Sequence, residues 1–445
     1  MPDGAGHLGT VGRIYGNLGR LLGGKAAAGL VSLAYLAIAT RTLGPADYGV
    51  LVLVHGYAMV IGGIVAFPGW HAIVRYGAQA AAVGDTARLA RLLRFAGLVE
   101  AAAGLLAVAA AALFAPILGP RLGWSPTATA FAGVYSFAVL GSIRATPAGY
   151  LQLAGRFDLI GAHNLVAPVI RLVGAAIAAS LHAGLRGFLV AWLAAALAEW
   201  AAMWGLGLLV ARRRLGGAPL WGGVRGVFSE NPGLARFMLA ANADITLSEL
   251  SGRLAPLAVG WVLGSAAAGF YAVGQRATVV LSQPALILGQ AAYAELAKLV
   301  AAGGRGAALR RAVVRCIAIA GLAAAPIVGL IALFREPIAV LLGGPAFAAA
   351  GGIMLWLVLA RAIVLVGPPV SAALTALGRP GLSVTANLTT GLGLLVILPP
   401  MLAWFGLAGA GAHALLQACC AAGLLSWFIW RETRADGPRA IAAAG

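Results

Sequence analysis

Apolar runs of nearly one length alternate with short basic gaps along the whole chain. The runs lie near 24–43, 49–71, 95–118, 128–150, 159–181 and 187–211, and again near 237–263, 267–291, 312–333, 350–376, 382–405 and 407–430. Each is long enough to cross a bilayer, which takes about 20 mostly apolar residues. The pattern predicts an all-α integral membrane protein with about twelve spanning helices. Gly and Pro inside the runs do not oppose helix, since both are frequent in membrane helices. The runs divide the chain into a leading segment 1–23, a first lobe 24–211, a connection 212–236, a second lobe 237–430 and a tail 431–445.

Composition agrees with the pattern. Of 445 residues, 61% are hydrophobic and 10% charged, against about 25% charged in soluble domains. No soluble surface could cover so much apolar area. The net charge of +18 would point to nucleic acid in a soluble protein, but here the cations fill the gaps between apolar runs. With the N-terminus inside, 22 Lys and Arg fall in inner segments and only Arg41, Arg121, Arg186 and Arg335 in outer ones. That asymmetry predicts cytoplasmic termini and removes the nucleic-acid reading. Residues 1–24 hold no cleavable apolar run, so the first span is expected to act as its own insertion signal. Cys316, Cys419 and Cys420 sit inside apolar runs without metal or disulfide spacing. In the connection, Trp221, Val224, Val227 and Phe228 recur at helical spacing, which predicts a short amphipathic helix on the inner membrane surface. Asn231-Pro232 reads as the cap and first residue of the seventh span.

The chain repeats itself. Leu43-Gly44 with Gly49 returns as Leu263-Gly264 with Gly269, 220 residues on. Gly155-Arg156 before Asn164-Leu165 returns as Gly378-Arg379 before Asn387-Leu388, at a spacing of 223. Gly184-Leu185-Arg186-Gly187 returns as Gly406-Leu407-Ala408-Gly409, at 222. Three matches in order at one spacing indicate duplication of a six-helix unit. An even number of spans per half predicts a pseudo-twofold along the membrane normal, as in transporters built from parallel repeats.

The repeated positions also carry a family resemblance. Arg41-Thr42-Leu43-Gly44-Pro45-Ala46-Asp47-Tyr48-Gly49 resembles the R-x-L-G-P-x-x-Y-G segment after the first helix of bacterial polysaccharide and lipid-linked oligosaccharide flippases, including those for O-antigen. They belong to the multidrug/oligosaccharidyl-lipid/polysaccharide exporter superfamily. Gly264 to Tyr271 looks like the second-half counterpart. The motif residues are Arg41, Gly44, Pro45, Tyr48 and Gly49. The resemblance implies two six-helix lobes and outward flipping of an undecaprenyl-pyrophosphate-linked oligosaccharide across the bacterial inner membrane. It implies membrane lipids and polysaccharide polymerase or export machinery as partners. It supplies no cofactor and no catalytic residue.

Nine ionisable residues fall within the runs: Arg144, Arg171, Arg253, Arg276 and Arg361 against Glu100, Glu199, Asp244 and Glu249. Charges at such depth face a cavity or a partner. Asn242, Glu249 and Arg253 share one helical face, and Glu249 is close enough to pair with Arg253. Asn164, Pro168 and Arg171 share another, with Glu199 as the alternative partner of Arg171. Arg276 and Arg361 have no carboxylate within a turn of their own helices, which favours a water-filled cavity for both. Arg144, Glu100 and Asp244 lie near the inner interface, where long side chains can snorkel. The expected head-group contacts are therefore Arg171, Arg253, Arg276, Arg361, Asn164 and Asn242. Glu249, Asp244 and Glu199 are the candidates for ion coupling.

Alternatives from other classes have less behind them. A cation or drug exporter of the same superfamily would want acidic or aromatic lining, and a peptidoglycan-precursor flippase would have more helices. A membrane glycosyltransferase would carry a large loop with an acid/base constellation, and no loop here has one. His55, His71, His163, His182 and His413 are scattered and read as structural.

Overall fold

The computed structural model describes residues 4–65, 69–215, 222–278, 292–293, 295–304 and 306–435. Side chains are described from Gly23 onward within these ranges, except at 240, 241, 243–245, 248, 249, 251 and 435. Among the described residues there is helix and no strand, as expected for chains that must satisfy their backbone within each membrane span. Among the described residues, eight helices are long and apolar enough to cross a membrane. Two of them, Gly23–Val65 and Pro380–Arg434, hold 43 and 55 residues. At 1.5 Å per residue these run well past one bilayer thickness of about 30 Å. Each is interrupted by a glycine outside helical geometry, Gly44 (φ 69°, ψ 179°) and Gly406 (φ 58°, ψ −142°).

In the first half, α1 spans Gly4–Val65, α2 Trp70–Ala82, α3 Thr86–Arg121 and α4 Pro126–Tyr135. Asp85 and Ser125 accept from the backbone N–H of Arg88 and Ala128 and so cap α3 and α4. A 3-10 turn over Ser136–Ser142 leads to α5, Ala145–Leu153. The fifth predicted span is two pieces, α6 (Phe157–His163) and α7 (Val166–Ser180). The break falls at Asn164-Leu165 because Pro168 has no N–H to give the Asn164 carbonyl. Helix α8 runs Gly184–Arg214, α9 is a single turn at Val227–Glu230, and α10 runs Leu234–Leu263. Helix α11 (Ser265–Thr278) begins the eighth span, whose remainder lies outside the described residues. The rest comprises α12 (Ala307–Leu333), α13 (Arg335–Gly343), α14 (Ala350–Val364), α15 (Gly367–Ala376), α16 (Pro380–Gly393) and α17 (Leu398–Ala435). Pro368 and Pro369 divide α14 from α15 as Pro168 divides α6 from α7.

Helix α3 shows why the chain needs lipid. From Gly104 onward its buried positions are Gly104, Ala107, Ala111, Ala115 and Gly119, all small. Its exposed positions include Leu98, Leu105, Leu106, Leu113 and Phe114. Large apolar side chains outside and small ones inside invert the soluble pattern, and they suit helices that pack backbone to backbone within hydrocarbon.

The chain forms two compact units: 1–43 with 50–250, and 44–49 with 251–445. One core of the first joins Ile73 and Ala80, Leu89 and Leu93, Tyr150 and Leu151, and Met203 and Val210 from α2, α3, α5 and α8. A core of the second joins Leu309, Val313, Val370, Leu374, Leu425 and Phe428 from α12, α15 and α17. The short segment 44–49 belongs to the second unit although its flanks belong to the first. There, Tyr48 meets Phe347 edge-on at 5.9 Å. A Cβ on Gly49 would collide with the Ser265 carbonyl, and one on Gly269 with the Pro45 carbonyl. Since 265 and 269 are the repeat equivalents of 45 and 49, the duplicated segment is packed on its own copy by reciprocal contacts. The repeated pairs Gly44/Gly264, Gly155/Gly378 and Gly184/Gly406 all have φ between +54° and +86°. Those positions need glycine for backbone conformation, whereas Gly49 and Gly269 need it for space.

Candidate functional site

Within the second unit, α10, α11, α14 and α17 enclose a cavity of about 180 Å³. Arg361 of α14 faces it with Tyr271, Gln275 and Thr278 of α11 and His413 and Gln417 of α17. Tyr271, Gln275 and Thr278 stand one helical turn apart, which places all three on one face. His413 Nε2 is 2.8 Å from the Leu394 carbonyl oxygen and donates to it, and Gln417 Nε2 donates to the Gly391 carbonyl at 3.1 Å. Among the described residues that line the cavity there is no carboxylate. Among the described residues, no hydrogen bond or ion pair engages the Arg361 guanidinium. A half-buried cation in a polar chamber, with no counter-ion among the described residues, is arranged to receive an anion.

The first unit holds a second buried cation. Arg171 of α7 lies over the Trp192 ring at 4.9 Å and the Tyr35 ring at 5.9 Å. Its Nη2 donates to His55 Nε2 at 3.1 Å, and His55 Nδ1 is 2.9 Å from Tyr135 Oη. The Arg171 Nε is buried without a hydrogen-bond partner. Aromatic faces, an imidazole and the hydrogen-bonding Tyr35 side chain thus form its immediate surroundings, with the Glu199 carboxylate acting on it from beyond ion-pair contact.

The other expected residues are placed as follows. Glu199 is ion-paired with Arg144 and not with Arg171; its backbone carbonyl accepts from His163 Nε2 at 2.9 Å. Glu100 is buried rather than snorkelling, and its carboxylate accepts from the backbone N–H groups of Ala145 and Thr146 at the start of α5. Arg276 is exposed on α11, off the face that carries Gln275. Arg253 is half-buried on α10 and is not in the cavity lining. Asn164 ends α6 with its Nδ2 buried and unpaired, and Asn242 is buried with both amide atoms unpaired. The side chains of Asp244 and Glu249 lie outside the described residues. Of the motif residues, Arg41 is exposed, Gly44 and Pro45 form the break in α1, and Tyr48 and Gly49 are buried against the second unit's own residues.

The connection differs from the expected interfacial helix. Trp221 lies outside the described residues, Val227 is buried, and Phe228 meets Phe95 at 5.0 Å. Asn231 does not cap the seventh span: its Oδ1 accepts from Arg88 at 3.0 and 3.1 Å, and its Nδ2 donates to the Val227 carbonyl. Arg91 forms a two-pronged pair with Glu230, and Tyr76 Oη donates to the Pro232 carbonyl at 3.2 Å. Two arginines counted among the cations of the inner segments therefore bind specific partners.

With this geometry in view, the sequence profile of the family described as "Polysaccharide biosynthesis protein" matches residues 38–350. The chain belongs to that family. The inner membrane protein YghQ of Escherichia coli (strain K12) is 26% identical to this chain over 278 residues, covering 61% of this chain and 76% of YghQ. In fold, this polysaccharide-biosynthesis protein is similar to an inward-facing multidrug-resistance transporter of the MATE family and MOP superfamily. The TM-score is 0.70 at 15% identity, over 92% of this chain and 94% of that one. It is equally similar to the lipid II flippase MurJ in an inward closed conformation, with a TM-score of 0.70 at 10% identity, over 91% and 86% of the two chains. These likenesses give the family member the two-lobed, multi-span fold expected from its repeats.

His55, Gln275 and their aromatic neighbours were not among the expected site residues. The repeat held a signal for two of them, because His55 and Gln275 are 220 residues apart, the spacing of the flanking motif. They are one duplicated position, and in each unit it serves the buried arginine's surroundings.

Proposed function

We propose that this chain is a flippase that carries a lipid-linked oligosaccharide with a pyrophosphate head, of the undecaprenyl type, from the inner to the outer leaflet of the bacterial inner membrane. It works by alternating access, with both termini cytoplasmic. The observation that supports this most is Arg361, held in a polar chamber whose described lining includes no carboxylate. A guanidinium keeps its charge when partly desolvated and offers paired donors to phosphate oxygens. Membership of a polysaccharide biosynthesis family and a fold like that of a lipid II flippase are in keeping with a lipid-linked glycan. A head with about two negative charges moving outward runs with an inside-negative potential, gaining on the order of 4–5 kcal/mol per 100 mV. Export of cationic drugs fits less well, because the described lining of the chamber offers a cation no opposite charge.

Flipping of a fluorescent undecaprenyl-pyrophosphate oligosaccharide in proteoliposomes tests the reading. Arg361→Ala is expected to slow flipping roughly tenfold or more, the worth of one charge-assisted hydrogen bond. Arg361→Lys should keep part of it. Correctly inserted wild-type protein that flips none of several glycans would move the assignment to cation export.

A further inference from the structure

His55 stands at the meeting of four helices in the first unit. Tyr35 and His55 come from α1, Tyr135 from α4, Arg171 from α7 and Trp192 from α8. The carboxylate of α8 that acts electrostatically on Arg171, Glu199, is itself ion-paired with Arg144. A guanidinium has donors and no acceptor, so the 3.1 Å contact assigns the bare nitrogen of the imidazole to Nε2. Nδ1 then carries the ring hydrogen and donates to Tyr135 Oη. The ring is neutral, and Nε2 has one lone pair.

We propose that His55 is a proton-binding site at which an incoming proton and the Arg171 guanidinium compete for that lone pair, so that proton uptake releases Arg171 from its aromatic cage. In this step a solvent proton bonds to Nε2 and the Arg171 N–H···N hydrogen bond is broken; as Arg171 leaves the cage its hydrogen bond with the Tyr35 side chain is given up as well, and no covalent bond other than the new N–H changes. Two cations in direct contact repel each other. The aromatic rings around them carry no charge to neutralise the second cation. The pair therefore has two discrete arrangements, bonded with His55 neutral and separated with His55 protonated. Proton occupancy becomes linked to the position of a buried cation on α7. Glu199 holds Arg144, so among the described coupling candidates this contact offers a proton a site where binding must move something. The inference makes no use of the transported substrate, and its test needs none.

Trp192 reports on the contact directly, since it lies 4.9 Å from the Arg171 guanidinium and its ring centre is 5.3 Å from that of His55. The whole protein, labelled with 5-fluorotryptophan at its 11 tryptophans, would be followed by fluorine NMR from about pH 4.5 to 8, the range of protein histidines. The Trp192 signal is assigned by its loss in Trp192→Phe. In the wild type it should move along a single titration curve. In His55→Gln, whose side-chain oxygen can still accept from Arg171, it should stay fixed while the other signals keep their wild-type positions. Arg171→Met removes the competitor, and the midpoint of the His55 titration, read on the imidazole carbon resonances, must then change. A Trp192 signal that stays still in the wild type, or that titrates unaltered in His55→Gln, would overturn the proposal. So would an unchanged midpoint in Arg171→Met, a comparison that stands even if the glutamine variant disturbs other signals.

Discussion

A carboxylate inside a bilayer needs donors, and Glu100 finds them on the backbone at the start of α5 rather than on a basic side chain. Helix starts expose N–H groups with no partner of their own, and the helix dipole favours negative charge there. Glu100 thus acts as a cap supplied by a neighbouring helix. Glu100→Leu, which removes both acceptors, is expected to lower stability in detergent by about 1–3 kcal/mol, and Glu100→Gln by less. Thermal unfolding followed by intrinsic fluorescence checks this, and a leucine variant as stable as the wild type would rule the cap out. The same residue shows how far sequence reading reached. Spans and charge made it possible to list the ionisable residues at membrane depth, and Arg171 and Arg361 are indeed placed in the interiors of their units. Partner choice was not legible. His55 lies 116 residues from Arg171, and the cage around that cation is built from uncharged rings. A search for opposite charges pairs Arg171 with Glu199, which the fold gives to Arg144.

At the scale of the element, α3 reverses the usual consequences of substitution. A buried leucine cut to alanine in a soluble core costs about 2–5 kcal/mol, because a cavity remains. Leu106 is 62% exposed, and lipid chains can fill what its truncation leaves. Leu106→Ala is therefore expected to be close to neutral. Ala107, its neighbour, is fully buried, and Ala107→Leu should destabilise by about 1–3 kcal/mol through overpacking. Melting of both variants in lipid nanodiscs decides it, and the opposite ranking would mean α3 does not face lipid. The helix breaks near Pro168 and Pro368 were not legible, because 159–181 and 350–376 each read as one span in which proline does not oppose helix. In the connection the apolar spacing was legible but the partners were not: only 227–230 is helical, Val227 is buried beside Tyr76 and Leu92, and the half-exposed Phe228 meets Phe95 edge-on.

For the whole molecule, the duplication was the most informative feature of the sequence, and the backbone carries it further than the residue matches did. All three repeated glycine pairs share left-handed geometry. The repeated arginines after two of them each meet an acid, Arg156 with Asp158 at 2.8 Å and Arg379 with Glu432 at 3.5 Å. What one copy of the sequence could not disclose is that the motif is seated on its own duplicate. That arrangement has a genetic consequence. Every missense change in a glycine codon adds at least one carbon, and at Gly49 and Gly269 the first carbon already strikes a carbonyl of the other copy. Neither gene half can compensate for the other, since each supplies both the glycine that must stay bare and the backbone that presses on it. Saturation mutagenesis with selection for surface polysaccharide should leave only synonymous codons at both positions, so that duplication has here doubled a mutational target instead of making a spare.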